Sequence, residues 1–176
     1  MAINWLGTLV LEQVNCTDSI LDIGCGIMQP TGGPIGSRHF GVDIFDQYLN
    51  HIRKDTPTIR GSAPEIFKAF VDKSWDWVLL LDVIEHMEKD AGRLSIREAE
   101  RVARKGVLIC TPKGYIRQDA WEAWGMRLNP YQEHLCGFEP EELNRMGYTT
   151  IEIRKSTEQH GEAVQTFAKK IFEMEL

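Results

Sequence analysis

Four short apolar runs, Ser19–Ile23, 40–43, Trp75–Leu81 and 106–111, constrain the fold of this 176-residue chain more than any other feature. They show little of the apolar–polar alternation of a half-buried strand, which is how strands covered on both faces of a parallel sheet read. Helical patterning lies around them. Ile3, Leu6, Val10 and Val14 recur at helical spacing ahead of a polar turn at 15–18, and Leu94, Val102 and Ala103 sit among Arg and Glu across 87–104. Thr58–Arg60 reads as a further short strand, 149–153 alternates as an edge strand does, and 165–175 suits a final strand or a helix equally. Strands and helices that alternate in this way predict a doubly wound α/β fold, with a mostly parallel sheet and helices on both faces. No linker, repeat or low-complexity tract divides the chain, so one domain over 1–176 is expected. Ligands in such sheets bind outside the carboxyl ends of the strands.

Composition narrows the function classes. With 43% hydrophobic and 26% charged residues the chain can fill a core, which excludes disorder and collagen-like repetition. Its 26 acidic residues against 20 basic ones give a charge of −6, a poor balance for neutralising a phosphate backbone, and no nucleic-acid partner is expected. Arg93, Arg97, Arg101 and Arg104 share a helical face and read as a solvated surface paired with Glu98 and Glu100. No run approaches the ~20 apolar residues of a membrane span, and the uncharged first residues lack the basic leader of a secretory signal. A cytoplasmic protein without a membrane partner is expected. Cys16, Cys25, Cys110 and Cys136 contain no C-x-x-C pair and have no zinc-like spacing, so they read as reduced thiols, and no metal is expected. The residues fix no oligomeric state.

The chemistry concentrates at strand ends. The first run closes S-I-L-D-I-G-C-G, where Gly24 and Gly26 let the backbone turn sharply and approach a ligand. Asp22, two positions before the first glycine, aims its carboxylate at the turn, able to hold backbone N–H groups or a cationic ligand. The second run ends at Asp43, about 20 residues further on, where an acid in a doubly wound fold accepts hydrogen bonds from ribose hydroxyls. A dinucleotide site would carry G-x-G-x-x-G, but Gln29 occupies the third position, which argues against a nicotinamide enzyme.

D-x-G-x-G with an acid at the tip of the second strand instead resembles the class I S-adenosylmethionine-dependent methyltransferases. W-D-W-V-L-L-L-D-V-I-E-H-M resembles that family's fourth strand and following loop, and G-V-L-I-C-T-P-K-G the fifth strand of a subgroup ending in Thr-Pro. N-P-Y-Q-E-H-L-C-G-F-E-P-E-E-L, followed by Gly147 and Tyr148, resembles the segment before the sixth strand. The resemblance implies a seven-stranded Rossmann-like sheet and S-adenosylmethionine as cofactor. It puts Asp22, Gly24, Cys25 and Gly26 beside the methionyl and ribose groups, Asp43 and Ile44 at the ribose, Ser62 and Ala63 near the adenine, and Asp82 and Val83 beneath the cofactor. Met28 stands where the family often has a third glycine. Between Gly26 and His39, Pro30, Gly32, Gly33, Pro34 and Gly36 predict a first helix that is short or replaced by a loop.

The implied reaction is methyl transfer to a small-molecule or sugar-like acceptor. The other reading is a non-catalytic or partner-dependent module that holds the cofactor or a nucleoside. Candidate proton acceptors are His134 first, then Glu85 and His86. The segment 115–138 is expected to cover the substrate as a loop or helix, with Trp121, Trp124, Tyr131 and Glu133 walling the acceptor pocket. Spaced three apart, Trp121 and Trp124 also suit one buried helical face. His39, His51 and His160 show no ligand spacing and receive no role.

Overall fold

The computed structural model describes residues 4–28, 30–52, 54, 56–157 and 161–173. Ile3, Gln29, His160 and the end of the 165–175 segment therefore lie outside the described residues. The strands are β1 (Ser19–Ile23), β2 (Arg38–Asp43), β3 (Thr58–Arg60), β4 (Trp75–Leu81), β5 (Ala103–Pro112), β6 (Thr149–Thr157) and β7 (Gly161–Ile171). The helices are α1 (Trp5–Leu11), the single turn α2 (Asp46–Leu49), α3 (Lys89–Val102) and α4 (Pro140–Arg145). The strands form one seven-stranded sheet in the order β3-β2-β1-β4-β5-β7-β6. The pairs from β3 to β5 are parallel, and β7 runs antiparallel to both β5 and β6. The ambiguous final segment is thus a strand as far as Ile171, inserted between β5 and the edge strand β6.

The apolar runs lack alternation because both faces of the central strands are covered. Every residue of β4 is buried. Leu21, Ile23, Val78, Leu80, Val107 and Ile109 face one cluster, where Ile96, Ala99 and Val102 of α3 and Leu143 of α4 cover the sheet. The intervening Ile20, Trp77, Leu79, Leu81, Leu108 and Cys110 face the other cluster, under Leu6 and Val10 of α1. Asn4 caps α1 by accepting from the Gly7 amide at 3.0 Å.

The amino ends of the strands carry a structural charge network far from the strand tips. Buried Asp18 accepts from the Trp77 indole at 2.9 Å and pairs with Lys105. Buried Asp76 accepts from the Ser19 amide at 2.9 Å and from Arg104 at 2.8 Å. The expected arginine face resolves into separate bonds. Arg101 binds Glu98 and Asp72, and Arg93 binds Glu142 and Asp90. Arg104 has left the helix for β5, and Glu100 pairs with Lys170 rather than with an arginine.

Candidate functional site

The chain leaves β1 through Gly24 (φ +69) and Gly26 (φ +53), backbone conformations that side-chain-bearing residues rarely adopt. A Cβ on Gly24 would lie 2.3 Å from Cγ2 of Val83, so the turns after β1 and β4 touch where only hydrogen fits. The Gly24 and Cys25 amides both donate to the Val42 carbonyl, at 2.7 and 3.0 Å. No helix follows among the described residues before β2: the chain passes Met28, Gly32, Gly33 and Gly36 at positive φ, as the Pro and Gly content predicts.

Asp43 anchors this turn. Its Oδ2 accepts from the Gly26 amide at 2.9 Å and its Oδ1 from the Phe45 amide at 2.8 Å. Burial pushes the carboxyl up to about 6, although these backbone N–H groups pull it down. Each oxygen has two lone pairs, so acceptor capacity is left for hydroxyl donors. Asp22 departs from expectation. Its Oδ2 lies 3.2 Å from Nε2 of buried His39, whose Nδ1 accepts from the Ile35 amide at 2.9 Å. That amide can only donate, so the neutral ring carries its proton on Nε2 and gives it to Asp22. The carboxylate is therefore held by a histidine of β2 rather than by amides of its own turn. His39, which the sequence reading leaves without a role, positions it. Burial and the Asp22 and Asp43 charges push the Cys25 thiol far up, so it is no nucleophile.

After β4, Asp82 takes φ +54 and its amide donates to the Cys110 carbonyl at 2.8 Å. A single 3-10 turn at Ile84–His86 follows. Glu85 is only 1% exposed and accepts from the Thr111 hydroxyl at 3.1 Å. Its carboxyl is pushed well above the usual carboxylate range by burial and by Asp82. Its backbone carbonyl accepts from the Leu135 and Cys136 amides at 2.8 and 3.2 Å, which ties the post-β4 turn to the late loop. Burial and then neighbouring His134 push His86 down to about 4. The two imidazole centroids are 4.8 Å apart.

The segment 115–138 is a loop over these tips, with short 3-10 turns at Ala123–Gly125 and Pro130–Gln132. Trp121 and Trp124 do not share a helical face, because Trp124 has φ +55 and breaks the turn. The Trp124 ring instead lies over Gly26, where a Cβ would come 3.1 Å from its Cη2. The Trp121 indole donates to Gln132 at 3.2 Å. Glu133 is exposed and lies outside the cavity lining, which corrects its expected place in the acceptor wall. What it offers is its carbonyl, 3.1 Å from His86 Nδ1. His134 is buried, with its amide donating to Gln118 at 3.0 Å and its Nδ1 donating to the Ile116 carbonyl at 2.7 Å.

These elements enclose a cavity of about 620 Å3, within the range of cofactor and small-molecule sites. Asp22, Gly24, Cys25, Gly26, Asp43, Ile44, Ser62, Ala63, Asp82 and Val83 line one part of it. Glu85, His86, His134, Trp121, Trp124 and Tyr131 line it as well. Sequence reasoning missed Gln118 and Asn129, which also line it. Asn129 is buried and caps the Tyr131 amide at 2.9 Å, and its place before Pro130 was the available signal.

Comparison with known proteins agrees with this geometry. A family model described as a methyltransferase domain matches residues 21–111, just over half of the chain. A SAM-dependent methyltransferase from Archaeoglobus fulgidus is 16% identical over 93% of this chain and 90% of its own, with a TM-score of 0.66. One from Methanosarcina mazei is 14% identical over 95% of this chain and 98% of its own, also at 0.66. A magnesium protoporphyrin IX methyltransferase from Synechocystis with bound SAH is 13% identical over 93% of this chain and 79% of its own, at 0.56. At these identities the likeness is one of fold. No curated protein matches the sequence. No helix among the described residues is long and apolar enough to cross a membrane.

Proposed function

The chain belongs to the methyltransferase domain family, whose class I members use S-adenosylmethionine, and from that premise we propose that it methylates a small-molecule or sugar-like acceptor. The observation that carries the reading is one cavity shared by two groups of residues. The Gly24–Gly26 turn and Asp43 border it beside the strand tips, and Glu85, His86 and His134 border it beneath the 115–138 loop. The first group fits the cofactor, because Gly24 and Gly26 border the cavity with backbone unobstructed by a Cβ and Asp43 keeps lone pairs for ribose hydroxyls. Bound there, S-adenosylmethionine supplies an electrophilic methyl group on a sulfonium.

The residues of this chain then align and shield the reaction. Asp43 and the glycine turn fix the ribose end, and Ser62 and Ala63 border the adenine end. Trp121, Trp124 and Tyr131 exclude water and offer flat apolar walls to an acceptor. Asp82 and Val83 form the floor, and His134 is the first choice to receive the acceptor's proton, because its N–H is committed to the Ile116 carbonyl and Nε2 is the basic nitrogen. The four cysteines form no disulfide among the described residues, which fits a reducing, cytoplasmic setting.

A second reading, a cofactor- or nucleoside-binding module without turnover, is motivated by the loop that replaces a helix after β1. Labelled S-adenosylmethionine incubated with a panel of phenols and sugar-like alcohols separates the two. We expect acceptor-dependent label transfer that falls by roughly 100-fold or more in His134→Ala. Cofactor binding without transfer to any acceptor in the panel favours the module.

A further inference from the structure

We propose that Glu85, His86 and His134 form a binding site for a divalent transition-metal ion in the cavity wall beneath the 115–138 loop. One ligand atom from each of the three lies within 4.8 Å of the others, although His134 is 48 residues away in sequence. That distance is why ligand spacing along the chain expects no metal, whereas folding assembles a candidate set. The Leu135 and Cys136 amides, bonded to the Glu85 carbonyl, hold the two segments together.

Each ligand is also held from behind. The Thr111 hydroxyl donates to Glu85 Oε2 at 3.1 Å. His86 Nδ1 lies 3.1 Å from the Glu133 carbonyl and His134 Nδ1 lies 2.7 Å from the Ile116 carbonyl. A carbonyl can only accept, so Nδ1 carries the proton in both rings and Nε2 is the coordinating nitrogen. Metal-ligating histidines have this backing, which fixes tautomer and orientation. Two imidazoles and one carboxylate suit Mn2+, Fe2+, Co2+ or Zn2+ better than Mg2+ or Ca2+. Metal bonds of about 2.0–2.2 Å need the three ligand atoms about 3–4 Å apart, so the widest pair must close by about 1 Å on binding. Three protein ligands leave positions open toward the cavity, where an oxygen of the acceptor would be polarised. With an ion present, His134 is a ligand and not the proton acceptor. This last consequence rests on the methyltransferase reading, whereas the metal site itself does not.

The test is calorimetric titration of the chelator-treated full chain with Zn2+ alone, and again with Mn2+, alongside titration with S-adenosylhomocysteine. The expected result is one Zn2+ per chain at micromolar or tighter affinity, weakened at least 100-fold in His86→Ala and in His134→Ala. Cys16→Ser and His51→Ala, which alter exposed thiol and imidazole groups, should bind as the parent does. Circular dichroism checks that each variant is folded. If the histidine variants are not, Glu85→Gln and the ring 15N resonances of His86 and His134 in the parent chain serve instead, and Zn2+ should shift both rings. Binding that is absent at millimolar metal, or that survives both histidine substitutions, overturns the site. S-adenosylhomocysteine binding without metal binding sinks the metal site alone. Metal binding at these residues without S-adenosylhomocysteine binding upholds the site and counts against the methyltransferase reading.

Discussion

Replacing Gly24 by alanine tests whether the β1 and β4 turns are joined by the contact described above. At φ +69 an alanine is strained by about 1–2 kcal/mol before any neighbour is considered. Its Cβ would then sit 2.3 Å from Val83 Cγ2, far inside van der Waals contact. Relieving such overpacking costs about 1–3 kcal/mol, so Gly24→Ala should lose roughly 2–5 kcal/mol. Val83→Ala removes two methyl groups from a buried position, worth about 1.6 kcal/mol. If the two sites were independent, the double variant would lose the sum, roughly 4–7 kcal/mol. Removing the valine methyls also removes the overlap, so we expect a loss of only about 3 kcal/mol, the backbone strain plus the lost burial. Urea unfolding followed by tryptophan fluorescence measures all four corners of the cycle. Losses that add within about 0.5 kcal/mol would refute the contact.

Asp43 should give cofactor binding a pH dependence. Hydroxyl donors need its carboxylate, and a pKa of about 6 leaves roughly a tenth ionised at pH 5 and nine-tenths at pH 7. Affinity for S-adenosylhomocysteine should therefore rise about tenfold between those values, and the rise should disappear in Asp43→Asn. Calorimetry at three pH values checks it, and a flat parent profile would refute the role. At the other end of the sheet, burial alone would raise Asp76, but the Ser19 amide, Arg104 and the Ser19 hydroxyl hold it at about 2 against an ordinary 3.8. A depressed folded pKa gives stability that is complete above pH 4 and lost as pH falls toward 2. The contribution is about 2 kcal/mol. Asp76→Asn should lose about that at pH 7 and show a shallower acid limb in urea unfolding, whereas an unchanged acid limb would show that the network does not act through Asp76.

The strands were legible because burial on both faces leaves an apolar run no polar positions, and β1 and β4 fall where their runs do. β7 was ambiguous for the opposite reason. Lys169 and Lys170 interrupt its pattern because they reach Gln13 and Met146 across the sheet, contacts that local periodicity does not encode. At the site, Gly24, Gly26 and Asp43 could be picked out as candidates, and they line the cavity, because the sharp turn after β1 and the acid at the tip of β2 are marked by local backbone needs and fixed spacing. Asp22 was picked out from the sequence as a candidate and lines the cavity, but its partner His39 was not, since a lone histidine carries no mark of what will fold against it. The grouping of Glu85, His86 and His134 was equally hidden, because it depends on a loop returning over the sheet. The loop also set the limit on the tryptophans. Their spacing of three suited one helical face as well as a pocket wall, and it is Trp124 at positive φ beside Gly125 that decides against the helix and turns its ring onto the glycine turn.

The central claim is a cofactor site built on the glycine turn and Asp43, and calorimetric titration with S-adenosylhomocysteine of the parent chain and Asp43→Ala tests it most directly. Micromolar binding by the parent, weakened tenfold or more (about 1.4 kcal/mol) in the variant, is the predicted result. A folded parent chain that binds no S-adenosylhomocysteine at millimolar concentration would contradict it.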